Sequence, residues 1–119
     1  MAPKITLDEL RVRLEANPEL VLVEALPEMY FRKGHLPGAI NLPHTQVDEL
    51  APGLLPDRDA EIVVYCANGP CPNSGIASAR LVTLGYANVS DYHEGKAEWI
   101  AAGLPVETGV AAAAGARSE

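Results

Sequence analysis

Basic residues are scarce in this sequence, and they form no block. Nine lysines and arginines stand against sixteen acidic residues, which gives a formal net charge of −7 at pH 7. A chain of this charge repels phosphate backbones and anionic lipid. Long apolar runs are missing too, since none approaches the roughly 20 residues that cross a bilayer. We therefore expect neither nucleic acid nor a membrane as a partner.

Cysteine is equally scarce, with two in 119 residues. Two cysteines are too few for a disulfide framework. The first ten residues, MAPKITLDEL, lack the apolar core and the small-residue cleavage site of a signal peptide. We therefore expect a cytoplasmic protein, in which isolated cysteines serve as packing residues, metal ligands or reactive thiols.

Aromatic residues make up only 5% of the chain, yet its apolar fraction of 48% and its charged fraction of 21% are typical of a globular domain. The length suits one domain with a single core. The last residues, TGVAAAAGARSE, are small, polar or alanine-rich and offer little to anchor them. We predict one domain over residues 1–107 and a flexible C-terminal tail over residues 108–119.

Short apolar runs predict the strands. The runs LVLV at 20–23 and IVVY at 62–65 are continuous and rich in β-branched residues, which is typical of strands covered on both faces. Briefer strands are predicted around residues 39–42 and within NVSDYH at 88–93. The segment PGLLPDRD at 52–59 is predicted as a surface connection.

Helical signals alternate with these strands. Thr6 is predicted as an N-cap, with Glu9 as its capping-box partner. Further helices are predicted over residues 45–50, 74–84 and 96–102. Because strands and helices alternate, the sequence predicts an α/β sandwich with a mainly parallel sheet.

The loop YCANGPCPNSG, residues 65–75, lies between a predicted strand and a predicted helix. Sites in open α/β folds lie beyond the carboxyl ends of strands, and Cys66 stands at such an end. We expect the loop to curl so that its N–H groups form an anion cradle at the positive end of the helix dipole. Pro70 and Pro72 have no backbone N–H to donate. The remaining candidate donors are the N–H groups of Ala67, Asn68, Gly69, Cys71, Asn73 and Ser74. A thiolate in such a cradle is favoured, so we expect the pKa of Cys66 to fall below roughly 8.5.

The loop contains neither arginine nor lysine. A doubly charged phosphate or arsenate ordinarily calls for a bidentate arginine, whereas a monoanionic sulfane sulfur can be held by amides alone. The composition of the loop therefore favours sulfur as the transferred group.

Several segments, in this order, resemble the single-domain rhodanese family: GHLPGAIN at 34–41, IVVYC, SGIASARLVTLGY, ANV, and EGKAEW ending at Trp99. The resemblance extends over residues 5–106. It implies a rhodanese-like three-layer sandwich with a mainly parallel five-stranded sheet flanked by helices. It also implies a catalytic cysteine that carries a sulfane sulfur as a persulfide, at Cys66. The residues that surround the transferred sulfur are then Ala67, Asn68, Gly69, Pro70, Cys71, Pro72, Asn73 and Ser74.

The resemblance implies a sulfurtransferase that takes sulfur from thiosulfate or a persulfide donor and gives it to a thiol or to cyanide. Such a reaction needs no metal or organic cofactor, and its protein partners would be a thioredoxin-like protein or a cysteine desulfurase. Three features depart from the family pattern. The loop is about two residues longer, Glu24-Ala25-Leu26 stands where Asp-Val-Arg is frequent, and Glu94-Gly95 stands where Gly-Gly is frequent.

The sequence is also compatible with other functions. A wider loop also fits rhodanese-related phosphatases and arsenate reductases, although their loops carry an arginine. A sulfur-carrying or protein-binding module without turnover is a further alternative. Cys71 is either a gap-filling loop thiol or a resolving thiol that attacks a Cys66 persulfide and leaves a disulfide. A metal site of both cysteines with His35, His44 or His93 lacks the usual ligand spacing, and His35 is expected in a turn, bonded to backbone.

Overall fold

Strands and helices alternate along residues 2–109, the part of the chain that the computed structural model describes. The helices are α1 Leu7–Ala16, α2 Glu28–Lys33, α3 Val47–Leu54, α4 Asn73–Thr83 and α5 Gly95–Ala101, and a 3₁₀ turn at His44–Gln46 precedes α3. The strands are β1 Val21–Glu24, β2 Ile40–Asn41, β3 Glu61–Tyr65 and β4 Asn88–Tyr92.

The four strands form one parallel sheet in the order β2-β1-β3-β4. The register places Val23 of β1 between Ile40 of β2 and Val64 of β3. Both runs predicted as central strands, β1 and β3, therefore lie in the middle of the sheet. Their side chains are buried on both faces, as the continuous apolar pattern indicates.

The prediction of five strands is wrong by one within the described residues. The fifth strand is reduced to a single parallel bridge between Lys4 and Asp91. The Ile5 N–H donates to the Asp91 carbonyl at 2.9 Å, and the Asp91 N–H donates to the Pro3 carbonyl at 2.8 Å. The pairing stops there because Thr6 already caps α1, so the chain turns away from the sheet edge.

Helices cover both faces of the sheet and produce the predicted three-layer sandwich. One apolar cluster contains Val64 of β3 and the α4 residues Ala77 and Leu81. The other contains Tyr65 of β3 together with large side chains from α1, α2 and α5, namely Leu10, Phe31 and Trp99. Alternate residues of β3 therefore point to opposite layers, as strand geometry requires.

The start of α1 follows its sequence signal. The Glu9 N–H donates to the Thr6 hydroxyl at 3.1 Å, and the Thr6 N–H donates to Glu9 Oε1 at 2.9 Å. This reciprocal pair satisfies two of the free N–H groups at the helix start. The predicted capping box is confirmed.

The helical prediction is less accurate in two places. The helix α3 continues through Pro52 to Leu54, so the predicted surface connection begins too early. It continues because Val47, Ala51 and Leu55, spaced four apart, are buried along one face. The short helix α2 was not predicted, since Phe31 is its single buried residue and no apolar period is visible.

The boundary between domain and tail is only partly visible. The Glu107 N–H donates to the His35 carbonyl at 2.8 Å, and the Gly109 N–H donates to the Arg32 carbonyl at the same distance. Most of the predicted tail over residues 108–119 lies outside the described residues. Within residues 2–109, no helix is long and apolar enough to cross a membrane.

A buried ion pair joins α5 to the carboxyl ends of β1 and β3. Lys96 Nζ lies 3.1 Å from Glu24 Oε2 and 3.2 Å from Oε1, and it also donates to the Gly34 carbonyl at 2.6 Å. The Tyr65 hydroxyl donates to Glu24 Oε1 at 2.7 Å. Burial raises the pKa of Glu24, and the hydrogen bond from Tyr65 and the charge of Lys96 oppose that rise. The frequent Asp-Val-Arg pattern has an arginine where this chain has Leu26, which carries no charge. The cation beside Glu24 comes instead from Lys96 of α5.

Removing the lysine should expose the cost of burying the carboxylate. Lys96→Met leaves Glu24 without its cation in a site where Glu24 is 0% exposed, and we expect a loss of about 3–5 kcal/mol in the free energy of unfolding. The double variant Glu24→Gln with Lys96→Met should recover more than half of this loss. Urea denaturation measures both, with the exposed Lys33→Met as a control. Equal losses in the single and double variants would show that packing, rather than charge, is responsible.

Candidate active site

Cys66 is the first residue after β3, and α4 begins seven residues later at Asn73. The residues predicted from the sequence therefore form one continuous loop, from the end of a central strand to the first turn of a helix. Cys66 is 0% exposed, whereas Cys71 is partly exposed. Both cysteines are free thiols.

The tip of the loop is a tight turn. The Cys71 N–H donates to the Asn68 carbonyl and to Asn68 Oδ1, each at 3.1 Å. Gly69 and Pro70 occupy the two corner positions of this turn. The Cys71 N–H is thereby used within the loop, so this predicted donor does not face an anion at Cys66.

The Cys66 sulfur has two kinds of neighbour. Its thiol donates to the Cys71 carbonyl at 3.4 Å and lies 3.9 Å from the Asn68 carbonyl. The backbone N–H and the hydroxyl of Ser74 lie near enough to favour the thiolate. Ser74 is buried, and within the described residues its hydroxyl has no hydrogen-bond partner. Of the six predicted donors, Ser74 therefore lies near the sulfur on the helix side, while carbonyl oxygens face the sulfur from the loop side.

The expected lowering of the Cys66 pKa is wrong for this arrangement. Burial is the largest cause, and together with the neighbouring Cys71 thiol it raises the pKa of Cys66 above its ordinary value. The two donors of Ser74 lower the pKa but do not compensate. The sequence indicated a helix N-terminus correctly, but it did not indicate that the sulfur would be buried beside the Cys71 thiol.

The start of α5 holds the base of the loop. The Lys96 N–H donates to the Cys66 carbonyl and the Ala97 N–H donates to the Ala67 carbonyl, each at 2.8 Å. Gly95 has a φ of +74°, and a methyl group built on it would lie 2.5 Å from the Cys66 oxygen. Sequence reasoning missed this role of Gly95, for which the only signal was a glycine directly before the helix predicted to start at Lys96.

Glu94 lies at the outer side of the loop. A methyl group built on Gly69 would come within 3.1 Å of Glu94 Oε1, so the carboxylate packs against the turn. Relative to the frequent Gly-Gly, Gly95 keeps the glycine that permits close packing. The departure is Glu94, which adds a negative charge beside the loop.

A groove lies between α4 and the end of β4, and we call it the Cys71 groove. Its volume is about 440 Å³, and its lining includes Cys71, Ile76, Ala79, Asp91 and His93. Asp91 is only 3% exposed, and its Oδ1 has no hydrogen-bond partner in the described part of the chain. The groove thus combines an apolar wall, a thiol and an unpartnered carboxylate.

The three histidines do not gather around the cysteines. His35 is buried, its Nδ1 lies 2.9 Å from the Phe31 carbonyl and its ring stacks on Phe31. The expected backbone bond of His35 is confirmed. His44 lines a separate cavity beside Arg80, and only His93 lies at the Cys71 groove. Among residues 2–109, no three His, Cys, Asp or Glu side chains are arranged to hold a metal ion.

Comparison with known proteins assigns this arrangement to a family. The sequence profile of the rhodanese-like domain matches residues 6–102, most of the chain. The chain belongs to the rhodanese-like domain family. Its three-layer sandwich is therefore that of a rhodanese-like domain.

Individual relatives show the same likeness. The chain is 38% identical over 105 residues to the HTH-type transcriptional regulator Rv0324 of Mycobacterium tuberculosis, covering 88% of this chain and 45% of that protein. It is 29% identical to a sulfurtransferase of Allochromatium vinosum, covering 89% of this chain and 95% of the other. The structure of human TSTD1, a single-domain sulfurtransferase, superposes with a TM-score of 0.72 at 25% identity, covering 85% of this chain and 97% of that one. The chain spans less than half of three curated relatives, namely 45%, 19% and 20% of their lengths.

Gly95→Ala should destabilise the protein more than an alanine at another positive-φ glycine. Gly38 has a φ of +78° and nothing within 4 Å of a built methyl group, so Gly38→Ala should cost about 1 kcal/mol from backbone strain alone. At Gly95 the contact with the Cys66 carbonyl adds overpacking, and we expect about 3 kcal/mol in total. Urea denaturation of both variants measures the difference. Equal costs would show that the loop moves aside without resistance.

The raised pKa predicts a steep pH dependence for the reactivity of Cys66. Only the thiolate reacts with iodoacetamide. At pH values below the pKa, the alkylation rate should therefore increase roughly tenfold for each unit by which the pH is raised. The rate should still be rising at pH 9.0, the ordinary value from which the pKa is raised. Timed quenching with peptide mass mapping measures the rate at Cys66. Ser74→Ala removes one donor and should move the profile to higher pH, whereas a plateau below pH 8 would contradict the raised pKa.

Proposed function

We propose that this chain is a sulfurtransferase in which Cys66 carries a sulfane sulfur as a persulfide. The observation that carries the proposal is the position of Cys66 at the carboxyl end of β3, near the N–H and the unpartnered hydroxyl of Ser74. Membership of the rhodanese-like domain family supports it, as do the relatives named sulfurtransferases.

The reaction has two balanced steps. After the Cys66 proton leaves to solvent, the thiolate attacks the outer sulfur of thiosulfate, the S–S bond of the donor breaks, and sulfite departs with the electron pair. A thiolate or cyanide then attacks the outer sulfur of the Cys66 persulfide, giving a new persulfide or thiocyanate and restoring the Cys66 thiolate. A low-molecular-weight persulfide can replace thiosulfate as the donor, with its thiolate as the leaving group.

Ser74 supplies the stabilisation that this chemistry needs. Its buried hydroxyl and its N–H at the start of α4 are the donors nearest to the charge that forms on sulfur. The carbonyls of Asn68 and Cys71 hold the neutral thiol and disfavour the thiolate. Turnover therefore requires these carbonyls to turn away from the sulfur when the charge appears.

The charges around the loop favour sulfur over phosphate or arsenate. The loop has no arginine or lysine of its own. Lys96 is held by Glu24, and the Arg80 guanidinium forms two hydrogen bonds with the Asp48 carboxylate. A dianionic phosphoryl group at Cys66 would therefore have no stabilising cation from the loop, from Lys96 or from Arg80. We therefore do not propose phosphatase or arsenate reductase activity.

A sulfur-carrying module without turnover of small donors is the second candidate. The burial and raised pKa of Cys66 favour it, because they slow attack on small molecules. The likeness to a transcriptional regulator fits a sensing or relay role. In that case a cysteine desulfurase would load Cys66 and a thioredoxin-like protein would take the sulfur. Both candidates need reduced thiols, as a cytoplasmic compartment maintains them.

Cys66→Ser should abolish thiosulfate:cyanide turnover, because the variant has no sulfur that can form the persulfide. The mass of the wild-type protein should increase by one sulfur atom after incubation with thiosulfate, and the mass of the variant should not. Serine is nearly isosteric, so the far-ultraviolet circular dichroism spectrum should be unchanged. Cys71→Ser is the matched control, and it should still gain the sulfur.

Two outcomes would decide against this scheme. Undiminished turnover in Cys66→Ser would refute the assignment of the sulfur-carrying residue. Loading of the wild-type protein by a cysteine desulfurase, but not by thiosulfate, would favour the carrier module over the enzyme.

A further inference from the structure

The two thiols of the loop differ in their access to solvent. Cys66 is 0% exposed, whereas Cys71 is partly exposed and lines the Cys71 groove. The Cys66 sulfur lies 3.4 Å from the Cys71 carbonyl, so the two residues are in contact across the loop. Cys71, but not Cys66, lines the groove, so Cys71 connects the Cys66 sulfur with the groove.

We infer that Cys71 takes the sulfane sulfur from Cys66 and delivers it in the Cys71 groove to a small thiol bearing a cationic amine, which Asp91 binds. This inference rests on the proposed persulfide chemistry of Cys66, and it assigns the acceptor class and two residues that act after loading.

The transfer between the cysteines balances without an oxidant or reductant. The Cys71 thiolate attacks the outer sulfur of the Cys66 persulfide, the bond from that sulfur to Cys66 breaks, and the electron pair returns to Cys66 as a thiolate. The acceptor thiolate then attacks the outer sulfur on Cys71, which regenerates the Cys71 thiolate and releases the acceptor persulfide. Attack on the inner sulfur would instead give a Cys66–Cys71 disulfide and free hydrosulfide, so this resolving reaction is a distinguishable outcome.

Asp91 gives the groove its preference for a cation. Its carboxylate is almost wholly buried, and a buried carboxylate oxygen without a donor is costly. Its Oδ2 lies 3.8 Å from a methyl group built on Gly75, in the first turn of α4, so the carboxylate is near the same helix end as the loop. An ammonium group of a bound ligand would supply the missing donor and neutralise the charge.

The other lining groups of the groove fit a short aliphatic aminothiol. Ala2, Ile76 and Ala79 provide an apolar wall, and a volume of about 440 Å³ holds a molecule of this size. Lys4 and His93 are the other titratable side chains of the lining, apart from Cys71. Lys4 is exposed, and among residues 2–109 it forms no ion pair with Asp91, so this lysine does not neutralise the carboxylate.

The first experiment locates the sulfur and tests the relay. Wild-type protein loaded with thiosulfate, alkylated and mapped by mass spectrometry should carry sulfur on Cys71 as well as Cys66. Cys71→Ser should load one sulfur on Cys66 but deliver it to cysteamine at least tenfold more slowly than the wild type. Delivery at the wild-type rate, or a Cys66–Cys71 disulfide with release of hydrosulfide, would overturn the relay. Failure of both proteins to load would instead refute the proposed function.

The second experiment tests Asp91 with three small thiols of different charge. Loaded wild-type protein should transfer sulfur to cysteamine about tenfold faster than to 2-mercaptoethanol at equal thiolate concentration, and more slowly still to thioglycolate. Asp91→Asn should lower the ratio of the cysteamine rate to the 2-mercaptoethanol rate from about ten to near one. Asp59→Asn, an exposed carboxylate away from the groove, is the control and should behave as wild type. An unchanged preference in Asp91→Asn would overturn the assignment of the amine site.

Discussion

The contact between the start of α5 and the end of β3 determines the position of the Cys66 sulfur. Two N–H groups of α5 bind the carbonyls of Cys66 and Ala67, and Gly95 allows the backbones to approach this closely. Lys96 contributes twice, because its N–H holds Cys66 while its Nζ binds Glu24 at the end of β1. The ends of the two central strands are therefore fixed by one residue, and the side chain of Cys66 points toward α4.

Burial of the Cys66 side chain stabilises the neutral thiol and thereby lowers its reactivity. The neutral thiol donates to the Cys71 carbonyl, and low polarity around it raises its pKa. A thiolate or a persulfide anion reverses these preferences, since it repels carbonyl oxygens and attracts the donors of Ser74. The loop thus favours different orientations of its carbonyls in the two charge states. Within the loop, the turn at Asn68 and Cys71 is held by one shared N–H, so reorienting it breaks few hydrogen bonds.

The sequence was informative wherever the cause is local. The capping box needs only Thr6 and Glu9, and the buried strands β1 and β3 need only a short apolar run. Cys66 followed from its place between a strand and a helix. The pKa of Cys66 was not predictable, because it depends mainly on the burial of the sulfur and on the neighbouring Cys71 thiol. The Glu24–Lys96 pair links residues 72 positions apart, and α2 has a single buried side chain, so neither leaves a periodic signal.

The shortened edge of the sheet and the Cys71 groove have a common origin. The capping box draws the chain into α1 directly after Ile5, so the extended segment touches β4 only at Asp91. Asp91 is bonded through both its N–H and its carbonyl at this point, which fixes its backbone. It pairs with Val64, whose side chain faces α4, so the Asp91 carboxylate lies on the α4 side of the sheet as well. A longer fifth strand would continue along this edge, whereas the single bridge leaves Ala2 and Lys4 beside α4 as part of the groove wall. The groove that Asp91 and Cys71 share is therefore a consequence of where α1 begins.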